Sequence, residues 1–260
     1  MMKLVVAAIV SIGTTWHPVR SGVWLSETIM ARSGPLSVVR AVAVRISRPP
    51  HGFYLASPVA RDGSRSIWTI DSIPQDAIVA LNAGQFAFGI PWGWVVQDGR
   101  EIKPPGTGTL GMALVSDSAG AVSLMTSAEI SSYRGKIVNA FQSYPALIVD
   151  GEIPWELGAS GRGVDLTHRD SRLAVCTLSD QSLVIVLTRF DALGPAGSTL
   201  PWGPTVPEIA EHMQSLGCRR AMLLDGGISS QMAVRNNDGT LRRWPNWRPV
   251  PLAMVIAGAN

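Results

Sequence analysis

Leu223-Leu224-Asp225-Gly226-Gly227-Ile228-Ser229-Ser230-Gln231-Met232 ends an apolar run on a carboxylate, then places two glycines and two hydroxyls before apolar sequence resumes. A strand that delivers Asp225 to its C-terminal lip, with Gly226 and Gly227 turning the backbone, exposes main-chain N–H groups beside the acid. Such a turn can hold an anion or sugar hydroxyls against a general acid or base. A plain glycine-rich hairpin with a solvated Asp accounts for the same residues equally well.

Upstream of this stretch, Thr205 and Glu208 form a capping box, and Ile209, Met213 and Leu216 follow at helical spacing up to Gly217. The stretch therefore follows a helix-to-strand step. Nearly everything else after residue 35 reads as strands and loops. Val42, Val44 and Ile46 alternate with Ala43 and Arg45, as on a two-faced strand. Short strands are expected at 67–70 and at 77–81, the latter ending at Asn82. A hairpin is expected for 110–115 with 121–125, and another for 173–178 with 183–187. Residues 146–149 run into Asp150-Gly151, 250–257 close the chain, and a second helix is expected over 127–138. The fold class is α+β: a single domain with a mixed, mostly antiparallel β-sheet, few helices and long site-forming loops. The loops are 86–108, 154–168 and 193–204, and compact domains keep such loops where they build a site.

At 260 residues with 46% apolar and 16% charged side chains, the chain is long and apolar enough for a packed core, which excludes disorder. Net charge is +3 with only three lysines and no basic run, so no nucleic-acid footprint is present. Lys3 precedes an apolar run, 4–10, followed by Ser11-Ile12-Gly13. Residues 1–22 are thus a possible signal peptide or an N-terminal strand, ahead of a domain at 23–260. A secreted or periplasmic setting is favoured over a cytoplasmic one. No apolar run is long enough to span a membrane, so stable insertion is not expected. Cys176 and Cys218 lie in apolar stretches and read as buried free thiols, with one bridge possible in an oxidising compartment.

No Gly-Lys-Ser/Thr phosphate loop is present, since Pro105-Gly106-Thr107-Gly108-Thr109 lacks the lysine. His17, His51, His168 and His212 form no metal-ligand pair, and no serine sits in a nucleophile elbow. Four constellations remain. Asn82-Ala83-Gly84-Gln85-Phe86 carries an amide off a strand end, fit for a substrate hydroxyl, a neighbouring carboxylate or its own turn. Asp150-Gly151 repeats the acid-at-strand-end device, although alone it reads as a turn. His168, Arg169 and Arg172 gather at a strand mouth, either as a phosphate clamp or as solvated charge. Trp92, Trp94, Trp155, Trp202, Trp244 and Trp247 lie among Gly and Pro, where some pack loops and others can stack on sugar rings.

In this order the motifs resemble the phosphodiester glycosidase family, the uncovering-enzyme-like group, over roughly residues 36 to 258. Asn82 to Phe86 stands where that family has Asn-Gly-Gly-Phe-Phe, and Gly93 to Gly99 where it has a Gly-x-x-x-x-x-Gly loop. The strand ending in Asp150-Gly151 has its counterpart, and Ser171-Arg172-Leu173-Ala174 matches Pro-Arg-Thr-Ala. Leu224 to Met232 matches Leu-Asp-Gly-Gly-Gly-Ser-Ser-x-Met, the most specific element, and Arg248-Pro249-Val250 precedes the closing strand as in the family. Ala83, Gln85, Leu173, Ile228 and Leu252 depart from the pattern, where the family carries Gly, Phe, Thr, a third Gly and Asn.

The resemblance implies hydrolysis of a sugar-1-phosphodiester to free sugar and a phosphomonoester. Asp225 is the first choice for the carboxylate that acts as nucleophile or base, with Asp150 second. Arg172 and Arg248, beside His168, would hold the phosphate, a good leaving group with a second pKa near 6. Ser229, Ser230 and the N–H groups of Gly226 and Gly227 would hold phosphate or sugar oxygens, with Gly84 in the same binding set, and Asn82 would orient the acid or a ring hydroxyl. The expected partner is a carbohydrate or sugar phosphate, not a nucleic acid, and no cofactor or metal site is expected. Two rival readings remain: a non-catalytic glycan-binding module, suggested by Gln85 and Leu252, and a metal-assisted phosphodiesterase with a divalent cation between Asp150 and Asp225.

Overall fold

A computed structural model of the chain describes residues 14–30, 37–47, 52–56, 67–159, 161 and 163–258. The apolar run at 4–10 and His51 lie outside the described residues. In chain order the strands are β1 (His17–Arg20), β2 (Val23–Ile29), β3 (Val39–Ile46), β4 (Tyr54–Ala56), β5 (Ala77–Asn82), β6 (Phe86–Ala87), β7 (Ile90–Pro91), β8 (Val95–Gln97), β9 (Arg100–Lys103), β10 (Met112–Asp117) and β11 (Val122–Thr126). Helix α1 (Ser127–Ser132) precedes β12 (Ile137–Ser143), β13 (Ala146–Ile148), β14 (Leu173–Thr177) and β15 (Leu183–Phe190). The short α2 (Gly194–Gly197) and the longer α3 (Val206–Ser215) lead into β16 (Arg220–Leu223), β17 (Met232–Arg235), β18 (Leu241–Trp244) and β19 (Ala253–Ala257).

These strands form a seven-stranded sheet β1-β2-β3-β15-β14-β16-β13, a five-stranded sheet β11-β10-β12-β8-β9, a second five-stranded sheet β18-β17-β5-β19-β4, and the β6-β7 hairpin. Every ladder among the described strands is antiparallel. The fold is α+β, a single domain of mostly antiparallel sheet with few helices. The inner faces of the three larger sheets share one core, which takes Val42, Val44, Val175 and Ile185 from the first, Met112, Leu114 and Phe141 from the second, and Leu81, Met232 and Met254 from the third. The first sheet is covered on its other face as well. Ala43, Ala174, Cys176, Val186 and Ala221 point there, against Val206, Ile209, Ala210 and Met213 of α3. Strands buried on both faces need apolar residues at both parities, which is why β14 and β15 read as unbroken apolar runs.

The α3 capping box forms as its residues predict: the Thr205 hydroxyl accepts from the Glu208 N–H, and the Glu208 carboxylate accepts from the Thr205 N–H at 2.8 Å. The same device at Thr126 and Glu129 starts α1, which stops at Ser132 rather than reaching 138, because Ile137 already belongs to β12. Residues 67–70 are not a strand; Trp68 makes one isolated bridge to Val250, and the closing strand begins at Ala253. The 22/23 boundary falls in the turn between β1 and β2, which pair with each other. Cys176 and Cys218 are not free thiols but a disulfide, Cα to Cα 5.7 Å, tying β14 to the α3–β16 connection. No described helix is long and apolar enough to cross a membrane.

Candidate active site

Pairing between β14 and β16 continues past both strand ends. Ala174 faces Leu223, the Leu224 N–H donates to the Leu173 carbonyl at 2.8 Å, and the Gly227 N–H donates to the Ser171 carbonyl at 2.8 Å. This register sets Arg172 opposite Asp225. The ends of all three large sheets meet here. The Asp225 N–H donates to the Gly84 carbonyl beyond β5 at 2.9 Å, while Leu223 is held from β12 by the Ser143 hydroxyl at 2.5 Å and through the Pro145 carbonyl at 2.9 Å.

The two glycines are there for close approach. A Cβ at Gly226 would lie 2.4 Å from the Ser171 carbonyl oxygen, and one at Gly227, where φ is +57°, would lie 2.8 Å from Asp170 Oδ2. The Gly227 N–H, expected to bind substrate oxygens, is thus engaged by Ser171, and the turn instead seats the Asp170 carboxylate against the loop that carries Asp225.

Asp170 carries no candidate role in the sequence reading, although it lies in the charged segment 167–172. Burial raises its pKa, against the opposing charge of Arg172, and His168 Nε2 lies 3.5 Å from its Oδ2. Burial likewise raises Asp225. Its hydrogen bond with Ser229 and the charge of Arg248 oppose that rise, and the charge of Asp170 adds to it. Asp170 thus links two sets of charges: it acts on Asp225, which Arg248 also reaches, and is itself acted on by Arg172 and His168. No local pattern marks Asp170 as a partner of Asp225; the pairing exists only once Gly227 packs on it.

Arg172 is buried, and burial lowers its pKa. Its Nε donates to the Pro204 carbonyl at 3.0 Å and its Nη2 to the His168 carbonyl at 2.6 Å, so the 193–204 loop holds it in place. Arg248 is exposed, its guanidinium 4.9 Å from the Phe86 ring centroid. Arg169 is turned elsewhere, onto Glu208 through two 2.8 Å hydrogen bonds at the start of α3.

The remaining candidates divide into floor and outliers. Asn82 is buried, donating to the Asp225 carbonyl and accepting from the Gln231 N–H, both at 2.9 Å. It staples the two ends of the loop and acts on the acid through the backbone. Ser230 is fully buried, hydrogen-bonded to the Gly227 carbonyl and to Ser171 Oγ, both at 2.9 Å, so it braces the floor instead of facing substrate. Arg189 braces the same floor from beneath, donating to the carbonyls of Ser230 at 3.0 Å and Trp244 at 2.8 Å; burial pushes its pKa down to about 10. Its position inside an apolar strand gave no hint of this role.

Asp150 does not join the site. Ile148 faces Ala221 in an antiparallel pair, so Asp150 lies beside Arg219 and Arg220 at the opposite end of β16, roughly 20 Å of strand from Asp225. It is exposed there, with Oδ1 3.1 Å from Arg220, which also pairs with Glu129 at 2.7 Å. The two acids cannot hold one cation. Among the described residues, no group of three His, Cys, Asp or Glu is arranged to hold a metal. A shallow recess of about 400 Å³ lies at this far end, lined by Glu129, Arg134 and Arg220, away from Asp225. Of the tryptophans, Trp94 and Trp244 are core, Trp202 packs on Phe190, Trp92 lies beside Tyr144, and Trp155 and Trp247 are exposed.

A model of the phosphodiester glycosidase family matches residues 75–257. The structure is similar to the zebrafish N-acetylglucosamine-1-phosphodiester alpha-N-acetylglucosaminidase catalytic domain auto-inhibited by its pro-peptide, with a TM-score of 0.67, 17% identity, and coverage of 95% of this chain and 88% of that one. It also resembles a hypothetical protein from Synechocystis (TM-score 0.63, 15% identity, 94% of this chain and 63% of that one). A putative exported protein from Burkholderia pseudomallei aligns with a TM-score of 0.59 at 14% identity, over 85% of this chain and 74% of that one. No curated protein matches in sequence.

Proposed function

The chain belongs to the phosphodiester glycosidase family, and we propose that it hydrolyses a sugar-1-phosphodiester, releasing free sugar and a phosphomonoester. One observation carries this reading: the antiparallel register that sets Arg172 opposite Asp225, with the Asp170 carboxylate packed against the same turn and the charge of Arg248 acting on Asp225. Glycosidic cleavage uses two carboxyl groups about the anomeric carbon. Asp225 and Asp170 are that pair, and Asp170 takes the second role that Asp150 is too distant to fill.

In the proposed reaction Arg248 holds the phosphate, and the buried Arg172, its Nε and Nη2 engaged by backbone carbonyls, adds its charge. The C1–O bond breaks with its electron pair leaving on the phosphate oxygen, so the leaving group needs charge neutralisation more than a proton. Asp225 acts on the opposite face of the ring as nucleophile or as base for water, kept in aim by Ser229. The oxygen of water ends on C1; its proton is taken by Asp225 when water attacks directly, or by Asp170 when water opens a covalent Asp225 ester, and is then released to solvent, from Asp170 by way of the exposed His168. Gly84 and Asn82 position the Asp225 backbone. The disulfide supports a secreted or periplasmic setting.

Two of the altered positions, Leu252 and Gln85, take no part in the proposed chemistry. Leu252 is core, and the Gln85 side-chain amide donates to the Tyr144 carbonyl. The test is to incubate wild type and Asp225→Asn with a panel of sugar-1-phosphodiesters and to measure free sugar and phosphomonoester. Wild type is expected to yield both in equal amounts, and Asp225→Asn to be slower by about 10³-fold. Saturable glycan binding with no product would establish the binding-module reading instead.

A further inference from the structure

The segments that adjoin Arg248 carry exposed apolar residues. No carboxylate among the described residues forms a salt bridge with it. Its main-chain N–H donates to the Ile228 carbonyl at 3.0 Å, which puts Ile228 beside it. Ile228 is 38% exposed, and Trp247, the residue before Arg248, is 62% exposed. Phe86, on which the guanidinium stacks, opens the β6–β7 hairpin, and Phe88 at its tip is 95% exposed within about 7 Å of chain from Phe86.

Single exposed apolar residues need no explanation, but three of them on the segments that adjoin Arg248 and its Phe86 stacking partner, beside a cation with no salt bridge among the described residues, do. A polar alcohol on the phosphate would leave Ile228, Trp247 and Phe88 in water. A ligand that joins an anion to an apolar chain satisfies both the guanidinium and its surroundings. Ile228 is also where a small glycine would have left the rim bare.

We propose that Ile228, Trp247 and Phe88 form a subsite, next to Arg248, for the alcohol portion of the substrate, and that this alcohol is an alkyl or isoprenoid chain. The proposal rests on the sugar-1-phosphodiester reading above and specifies its leaving group. Burial of each methylene strengthens binding, so preference should grow with chain length.

The experiment uses two esters of one sugar-1-phosphate, with glycerol and with hexanol, on the full chain as wild type and as the Ile228→Gly/Trp247→Ser double variant. Wild type is expected to favour the hexyl ester by at least tenfold in kcat/KM, and the ratio should fall towards one in the double variant. Hexyl methyl phosphate against dimethyl phosphate, titrated by calorimetry, reads the same preference without turnover. If wild type binds the hexyl probe preferentially but hydrolyses neither ester, the subsite stands and the reaction is wrong. If both esters turn over equally and neither titration discriminates, the subsite is overturned and the reaction stands. Sedimentation completes the test: a wild-type dimer that the double variant dissolves, with no hexyl preference, would assign the rim to a second copy of the chain and overturn the proposal.

Discussion

Asp225 and Asp170 are both partly withdrawn from water; burial raises the pKa of each, and the charge of Asp170 adds to the rise of Asp225. A group that must be ionised to act then sets an acid limit on activity above the ordinary carboxylate range. The pH profile of kcat/KM should fall on the acid side at a pH higher than a free aspartate would give; a limb at ordinary aspartate values would refute the assignment. Stability carries the opposite sign. A carboxyl with a raised folded-state pKa contributes stability that is fully present below the unfolded pKa and lost as pH rises through the folded pKa. Asp225→Asn should therefore melt higher than wild type at neutral pH, and this gap should shrink on acidification. Gly227 gives a second test at this scale. Its φ of +57° and the 2.8 Å approach to Asp170 both oppose a side chain, so Gly227→Ala should cost at least tenfold in kcat by displacing the carboxyl. Unchanged kinetics would mean that Asp170 need not sit there.

Local devices were legible because they are written in a few adjacent residues. The Thr205/Glu208 box and the hairpin around 117–120 appear in the structure with their expected partners. The α1 capping box uses the same letters, yet its helix ends at Ser132, short of the expected span 127–138, since Gly135 and the strand beginning at Ile137 give no sharp local stop. The strand ends that carry Asp225, Arg172 and Asn82 were readable, and so was the fold class. What could not be read was which ends coincide. Asp150 and Asp225 follow the same apolar-run-then-acid pattern, but antiparallel pairing of β13 with β16 sends them to opposite ends. The disulfide belongs to this scale too. It fastens the ends of β14 and α3 remote from the site across a separation of 42 residues, worth about 4 kcal/mol in the chain-entropy treatment. Reduction, or the Cys176→Ala/Cys218→Ala pair, should lower the melting temperature by several degrees; no change would show that β14 and β16 hold without it.

Across the whole molecule, the candidate site is assembled where three antiparallel sheets bring strand ends to one point. The first sheet delivers Arg172 and Asp225, the third delivers Asn82 and receives Gln231, and the second supplies Ser143 and Pro145 as neighbours of Leu223. These contacts join residues far apart in the chain, Ser143 with Leu223 across 80 positions and Asn82 with Gln231 across 149, so no local window of sequence contains the candidate site. The common core behind them fixes the relative placement of the sheets, and Arg189 and Ser230 close the floor. The proposed carboxyl pair, Asp225 with Asp170, is a product of this assembly. Its most direct test is kcat/KM for Asp170→Asn and Asp150→Asn, measured side by side on a sugar-1-phosphodiester that wild type hydrolyses, with melting curves to confirm folding. We predict a loss of at least about 10²-fold for Asp170→Asn and less than about threefold for Asp150→Asn; a folded Asp170→Asn with full activity, or an inactive Asp150→Asn, would contradict it.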